Sequence, residues 1–244
     1  MTTIKTCALA AATLAAALAG TTPTAASSFS VAPIRVELDK SHRTGVLTLH
    51  NEGDTAVVVQ VTAVSWKQEN GEEHFEEAHE VLVTPPVFEV ASKGEQIVRI
   101  ALKRDADPTM ELAYRVFFEE VPQARTPTFN GLNVALRIGL PIFIAPPVAV
   151  SPDVSWEAEW QPDGGVTLSA TNRGREHLQV TGFDLEFGAG GPVVHVGGSK
   201  YVLPGSRMSW SVSPPTGADR SAALHLTGTG DHGAIDAAVA LTGH

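Results

Sequence analysis

Arg35 is the side chain in this sequence best suited to holding a ligand. It interrupts the first apolar run, Val31-Ala32-Pro33-Ile34-Arg35-Val36-Glu37-Leu38. A guanidinium held on a strand presents a planar donor fork that fits the two oxygens of a carboxylate. An ordinary intramolecular salt bridge would explain the same residue, so both readings stand at this point. Arg99, Arg115 and Arg137 fall on other predicted strands and could share a basic cleft with it.

Other chemistry-bearing patterns are weaker. Gly228-Thr229-Gly230-Asp231-His232-Gly233 matches the dinucleotide fingerprint by letter, but that fingerprint works between a strand and a helix with an acidic residue about 20 positions on. Only 11 residues follow Gly233, so the segment reads as a hairpin turn joining 222–227 to 234–241. The run Glu72-Glu73-His74-Phe75-Glu76-Glu77-Ala78-His79-Glu80 mixes two histidines with carboxylates. A spacing of five puts the two imidazoles on opposite faces of a strand and suits no helical metal pair, so a solvated acidic loop is expected and no metal. Neither a Gly-x-Ser-x-Gly elbow nor a His-Glu-x-x-His helix is present; nothing argues for an enzyme or a cofactor.

The element that most needs explaining is Leu132-Asn133-Val134-Ala135-Leu136-Arg137-Ile138-Gly139-Leu140. Large aliphatic residues occupy every second position, the signature of a strand with one strongly apolar face. The stretch 123–131 before it, with Pro127 and Asn130-Gly131, reads as a flexible loop. A strand so fed belongs either to the protein's own core or to a surface offered to another protein, and an uncovered apolar edge also invites self-association of the free chain.

The rest of the chain is strand-like from Phe29 onward. Val46–Leu49, Ala56–Val64, Gln96–Leu102, Tyr114–Phe118 and Leu132–Ile144 are aliphatic and β-branched runs separated by Asn51-Glu52-Gly53-Asp54, Asn70-Gly71, Lys93-Gly94 and Asn130-Gly131, which indicates a sandwich or barrel. Asp105–Leu112 is expected to form one short helical turn. Pro146-Pro147 breaks the ladder and marks a domain boundary. Beyond it the pattern restarts at Val166–Ala170, Leu178–Thr181 and Met208–Val212. Leu49-His50-Asn51-Glu52-Gly53 leading to Val61-Thr62 parallels Ala170-Thr171-Asn172-Arg173-Gly174 leading to Val180-Thr181, and a glycine turn follows in each half at Gly94 and Gly205. The fold class expected is all-β, two related sandwiches in tandem.

Residues 1–26 read as a secretory leader: one cation, Lys5, then an Ala/Leu run from Cys7 to Ala19, with cleavage after Ala26 or Ala19. The run is too short to span a bilayer core of roughly 30 Å, and no membrane span is expected elsewhere. The one cysteine, Cys7, is lost with the leader, so stability must come from core burial, which about 220 residues in two domains can supply. The formal charge of −10, without a basic cluster, argues against nucleic acid as a partner.

Together these residues resemble the periplasmic pilus-assembly chaperones, which consist of two immunoglobulin-like sandwiches set at an angle. The matching elements are Ile34-Arg35-Val36, Thr84-Pro85-Pro86 with Lys93-Gly94 and Val98-Arg99, Tyr114 to Pro122, and Leu132 to Leu140. The resemblance covers Phe29 to Pro147 well, and the second half mainly in length and strand pattern. It implies a leader at 1–26, a subunit-binding domain at 27–147 and a second domain at 148–244. It implies that Leu132, Val134, Leu136 and Ile138, with Leu140 as a fifth, are lent to a pilin subunit lacking its last strand, and that the complex is delivered to an outer-membrane usher. In the family an arginine of the first strand and a lysine of the long strand anchor the subunit's terminal carboxylate. Arg35 matches the arginine, but Pro141 stands at the lysine position; Arg137, Arg115 or Arg99 is expected to supply the second cation. The alternative from another class, a secreted structural pilin or adhesin, would need an N-terminal donor extension longer than Ser27–Ser30 and often a disulfide. A hydrolase with accessory sandwiches lacks a catalytic constellation.

Overall fold

The structure, a computed structural model, describes residues 29–122 and 134–242. Its elements are β1 (Phe29–Ala32), β2 (Val36–Leu38), β3 (Thr44–Asn51), β4 (Val57–Glu69), β5 (Glu72–Glu77), β6 (Val81–Thr84), β7 (Val87–Val90), β8 (Glu95–Leu102), β9 (Leu112–Glu120), β10 (Arg137–Ile144), β11 (Val154–Trp160), β12 (Val166–Asn172), β13 (Leu178–Phe187), β14 (Val193–Val202), β15 (Arg207–Val212), β16 (Leu224–Gly230) and β17 (Gly233–Thr242). The expected helical turn at 105–112 does not form. Asp107 turns the chain instead, accepting hydrogen bonds from the N–H groups of Thr109 and Met110, a local side-chain to backbone pattern that competes with helix.

The chain forms two immunoglobulin-like sandwiches in tandem. In the first, β1-β3-β8-β6 faces β2-β10-β9-β4-β5, with β7 on the end of β4. Alternation along the strands puts Leu47, Leu49, Val59, Val98, Ile100, Val116, Phe118 and Ile142 between the sheets, which is what period-two patterning requires. In the second, β14-β13-β16-β17 and β11-β12-β15 are joined where the end of β17 pairs with β11. Its core is separate, centred on Ala158, Leu168, Val180, Leu185 and Leu226.

The two halves share a buried structural device. Asn51 and Asn172 each end a strand and accept a hydrogen bond from the N–H two residues on, Gly53 and Gly174. Each side-chain amide also donates to the carbonyl four residues on, Thr55 or Glu176, and to a distant strand end, at Val90 and Ala91 or at Val202. Burying an amide is costly unless its donors and acceptor are used, and here all are. The Asn-x-Gly echo read from the sequence therefore corresponds to one piece of geometry used twice.

Three further sequence expectations need correction. The first apolar run is not one strand: β1 pairs with β3 in one sheet and β2 with β10 in the other. The chain changes sheets around Pro33, and Arg35 sits in the crossing segment just before β2. The acidic run at 72–77 is a strand rather than a loop. It is held against β4 by a hairpin whose Asn70 and Gly71 have φ of 54° and 82°, the left-handed pair a tight primed turn needs. The strand expected over 132–144 is ordered as strand from Arg137. Its start at Leu132 lies outside the described residues, and Val134–Leu136 is non-strand chain leading in.

Candidate functional site

β10 runs antiparallel to β9 along its whole length, from Arg137 opposite Glu119 to Ile144 opposite Leu112. On its other side it meets β2, in parallel, only at Ile142–Ile144. The edge from Arg137 to Pro141 is therefore unpaired by β2. Pro141, which has no N–H to offer a ladder, occupies the last position before that pairing begins, as proline does in edge strands.

The inward row of this segment leaves the core by degrees. Ile142 and Ile144 are fully buried and Leu140 is 7% exposed, while Leu136 and Ile138 are half-buried against the first core and Val134 is 66% exposed. Leu136 is fixed at the mouth of the ladder: Glu120 donates its backbone N–H to the Leu136 carbonyl, and the Leu136 N–H is held by the Glu120 carboxylate. Leu132 lies outside the described residues. Of the expected row, Ile138 and Leu140 lie on β10 and Val134 and Leu136 on the chain leading into it, with the apolar surface increasingly uncovered toward Val134.

The outward row of β10 is Arg137, Gly139, Pro141 and Phe143. A Cβ at Gly139 would lie 2.6 Å from the Phe117 ring, so glycine here makes room for an aromatic on β9. Arg137 stacks on that ring at 3.9 Å and is ion-paired to Glu119 at 2.5 Å.

Further along the same face the two sandwiches meet. Trp66, Phe143 and Leu203 form a small buried cluster with Tyr201 against it. His177 stacks flat on Phe143, centroids 3.6 Å apart and planes at 9°. Gln68 bridges the halves by donating to the Tyr201 carbonyl and accepting from the Leu203 N–H, both at 2.9 Å.

Arg35 opens into this cleft, beside a cavity of about 150 Å³ that Phe143, Glu111, His177 and Asp231 also line. Its guanidinium is ion-paired to Glu37 at 2.8 Å and to Asp231, on the β16–β17 turn of the second sandwich, at 3.1 Å. The intramolecular salt bridge read from sequence is therefore present, a guanidinium turned toward two carboxylates. Asp231 in turn touches His177, whose ring is 5% exposed. The Nδ1–H donates to Glu111 at 2.7 Å, and Nε2 lies 2.9 Å from Asp231 Oδ2. The second contact is off the N–H direction and leaves Nε2 without a directed hydrogen bond, so charge links it to Asp231. Burial alone would push the imidazole down; the two carboxylates override it and raise His177 to about 9. Asp231 is held below the usual carboxylate range: burial opposes this, but His177 and the Gln179 N–H outweigh it.

The three candidate partner cations separate clearly. Arg99 points to solvent from β8, in the other sheet of the first sandwich, so it shares no cleft with Arg35. Arg137 is committed to Glu119 and Phe117. Arg115 lies cross-strand from Pro141, with its guanidinium over Trp66 at 4.0 Å, one nitrogen 3.2 Å from Glu73, and a buried Nε that has no partner. The positive charges of Arg35 and Arg115 both act on the Tyr201 phenol, whose pKa is nevertheless raised by burial.

Sequence reasoning missed Glu111, His177 and Asp231. They lie far apart in the chain and obey no spacing rule. Asp231 and His232 were visible only as the centre of a glycine-flanked turn.

Comparison with known proteins agrees with this fold. Residues 28–149 match the family of pili and flagellar-assembly chaperones, PapD N-terminal domain. No curated protein matches the chain. A chain of the CsuC-CsuE complex, a chaperone with a tip adhesion subunit from archaic Csu pili of Acinetobacter baumannii, superposes with TM-score 0.68 at 17% identity, covering 88% of this chain and 100% of that one. A chain of the Salmonella enterica SafA pilin and SafB chaperone complex gives 0.60 at 16%, covering 86% and 96%. The Pseudomonas aeruginosa CupB2 chaperone gives 0.57 at 21%, covering 87% and 100%. With half of its length matched by the family and a two-sandwich fold shared with chaperone structures, the chain belongs to the PapD-like pilus-assembly chaperones.

Proposed function

We propose that this protein is a periplasmic chaperone that holds a pilin subunit by lending it the 132–140 segment and passes it to an outer-membrane usher. Residues 1–26 are its export leader, 27–147 its subunit-binding domain and 148–244 its second domain. The observation that carries the reading is the graded exposure of Leu140, Ile138, Leu136 and Val134 beside the edge of β10 that β2 leaves open among the described residues. Burying an aliphatic side chain gains roughly 1.5–3 kcal/mol. Leu140 is already buried and Leu136 and Ile138 are half-buried, so what a guest can still cover on Val134, Leu136 and Ile138 is worth roughly 3–5 kcal/mol, to which pairing along the β10 edge adds. A parallel or antiparallel guest strand would also satisfy the open backbone groups.

Arg35 anchors the guest's terminal carboxylate, and Arg115 supplies the second cation. Arg115 occupies the neighbouring strand directly across from Pro141, so the charge expected at that position is moved one strand over on the same face. Its Nε is buried, but its terminal nitrogens are held by a carboxylate that is itself partly solvated, Glu73, and remain open to a competing carboxylate.

The test is affinity purification of the tagged mature chain from its host's periplasm beside Leu136→Glu, Arg35→Ala and Arg115→Ala. A small β-rich secreted protein held by the wild type and lost by a still-folded Leu136→Glu chain supports the lent strand; equal recovery from both removes it. Leu136 touches the first core only at its margin, so this variant is expected to fold. If Arg115→Ala retains the subunit as well as wild type does while Arg35→Ala loses it, the second cation lies elsewhere.

A further inference from the structure

We infer that Arg35 is exchanged between two carboxylates, the internal one of Asp231 and the terminal one of the bound subunit, and that His177 is the counter-charge that lets Asp231 let go. This rests on the anchoring role of Arg35 proposed above.

The geometry of one oxygen carries the argument. Asp231 Oδ2 is shared by Arg35 Nη1 at 3.1 Å and His177 Nε2 at 2.9 Å. Its other oxygen accepts the Gln179 N–H at 2.9 Å and has His232 3.9 Å away. When Arg35 turns to a guest carboxylate, Asp231 therefore keeps a cation on the same oxygen and a backbone donor on the other. A carboxylate 11% exposed would otherwise be left as an uncompensated buried charge. His177 is equipped for this role because Glu111, 4% exposed, fixes its other nitrogen from the first sandwich, and Phe143 supports its ring from below. Glu37 holds the second Arg35 nitrogen but is 65% exposed, and so yields to solvent and to a competitor easily. The remaining charged neighbours are Glu176, raised by burial, and Arg115 beyond Tyr201; neither is placed on Asp231 Oδ2. The arrangement makes the anchor selective: an empty cleft presents a neutralised arginine to stray anions, and a guest must outcompete Asp231.

N-acetylglycine supplies a free peptide-like terminal carboxylate, and N-acetylglycinamide is its uncharged control. The probe is titrated into the mature full-length chain while the ¹⁵N resonance of Arg35 Nε, identified by its loss in Arg35→Ala, is followed. Asp231→Asn removes the internal competitor and is expected to tighten N-acetylglycine binding about fivefold. His177→Gln removes the counter-charge, ties Asp231 more firmly to Arg35 and is expected to weaken it by a similar factor. A purely structural role would move both variants in the same direction. Effects of the same sign, no change in either, or no response of Arg35 to the probe in wild type and Asp231→Asn would overturn the exchange. Should His177→Gln not fold, the Asp231→Asn titration decides alone. The anchor reading fails separately, if Arg35→Ala retains its subunit in the purification described above.

Discussion

β10 and β17 are the corresponding last strands of the two sandwiches, and they differ in what they leave uncovered. Each runs antiparallel to its predecessor, β9 or β16, and each pairs in parallel with the first strand of its sheet only near its own end, Ile142 against Val36 and Ala240 against Glu157. Backbone topology is therefore the same, open edge included. Side chains and entry differ: the inward row of β17 begins Ile235 and Ala237, after a turn of two residues, whereas that of β10 begins Ile138 and Leu140, with Leu136 just before the strand. An edge is an opportunity for pairing in both; the inward row of β17, Ile235, Ala237, Val239 and Leu241, is broken by a small residue and packs on the second core, whereas that of β10 is large throughout, and the chain leading into it leaves Leu136 half-buried and Val134 66% exposed.

Alanine substitutions along β10 should break this comparison most sharply. Ile142, wholly buried, is expected to cost about 2–5 kcal/mol in the stability of the first sandwich, Ile138 about 1, and Val134 close to nothing. Subunit retention should fall in the reverse sense, with Ile138→Ala weakening it and Ile142→Ala altering it only through stability. Urea unfolding beside co-purification yields would show the gradient. Equal stability costs at 138 and 142 would mean the row belongs wholly to the protein's own core.

The twin asparagines sharpen the same comparison with a smaller effect. Asn51→Ala and Asn172→Ala each remove an amide that satisfies several backbone groups at once. Each should cost about 2–3 kcal/mol in its own sandwich, and tryptophan fluorescence should separate the two, because Trp66 reports the interface and Trp156 and Trp210 the second core. If both variants lower a single shared transition by the same amount, the interface couples the sandwiches into one folding unit.

Much of this was legible in the sequence because it is local. Alternation on β3, β8 and β12, the Asn-x-Gly echo and the Asn70-Gly71 turn are all decided by neighbours a few residues apart. The division of the first apolar run between two sheets was not, since a single alternating run cannot say which sheet its halves join. The acidic strand β5 escaped for another reason: its side chains are all exposed, and it is held by the hairpin, by cross-strand contacts such as Lys67 to Glu76 and by a single edge-on ring contact of Phe75 with Phe117. The Glu111, His177 and Asp231 cluster was beyond reach because it exists only where two separately patterned sandwiches meet. Choosing among Arg99, Arg115 and Arg137 likewise needed the register that sets Arg115 opposite Pro141.

The weakest expected effect probes that meeting point. With His177 raised from 6.5 to about 9, the folded chain binds this proton more tightly than the unfolded one. The stabilisation is then complete below about pH 6.5 and is lost as pH rises through about 9. A shift of that size corresponds to at most ~3 kcal/mol, and relaxation of the two carboxylates reduces it to ~1–2. Between pH 6.5 and 9.5 wild type should therefore lose stability that His177→Gln, already without the charge, does not lose. The difference should appear in the transition that includes the interface and leave the isolated behaviour of the β12–β15 core unaltered. A wild-type alkaline profile that matches His177→Gln would mean that the imidazole is neutral between Glu111 and Asp231, held by packing on Phe143, and that Arg35 alone balances Asp231 across the cleft.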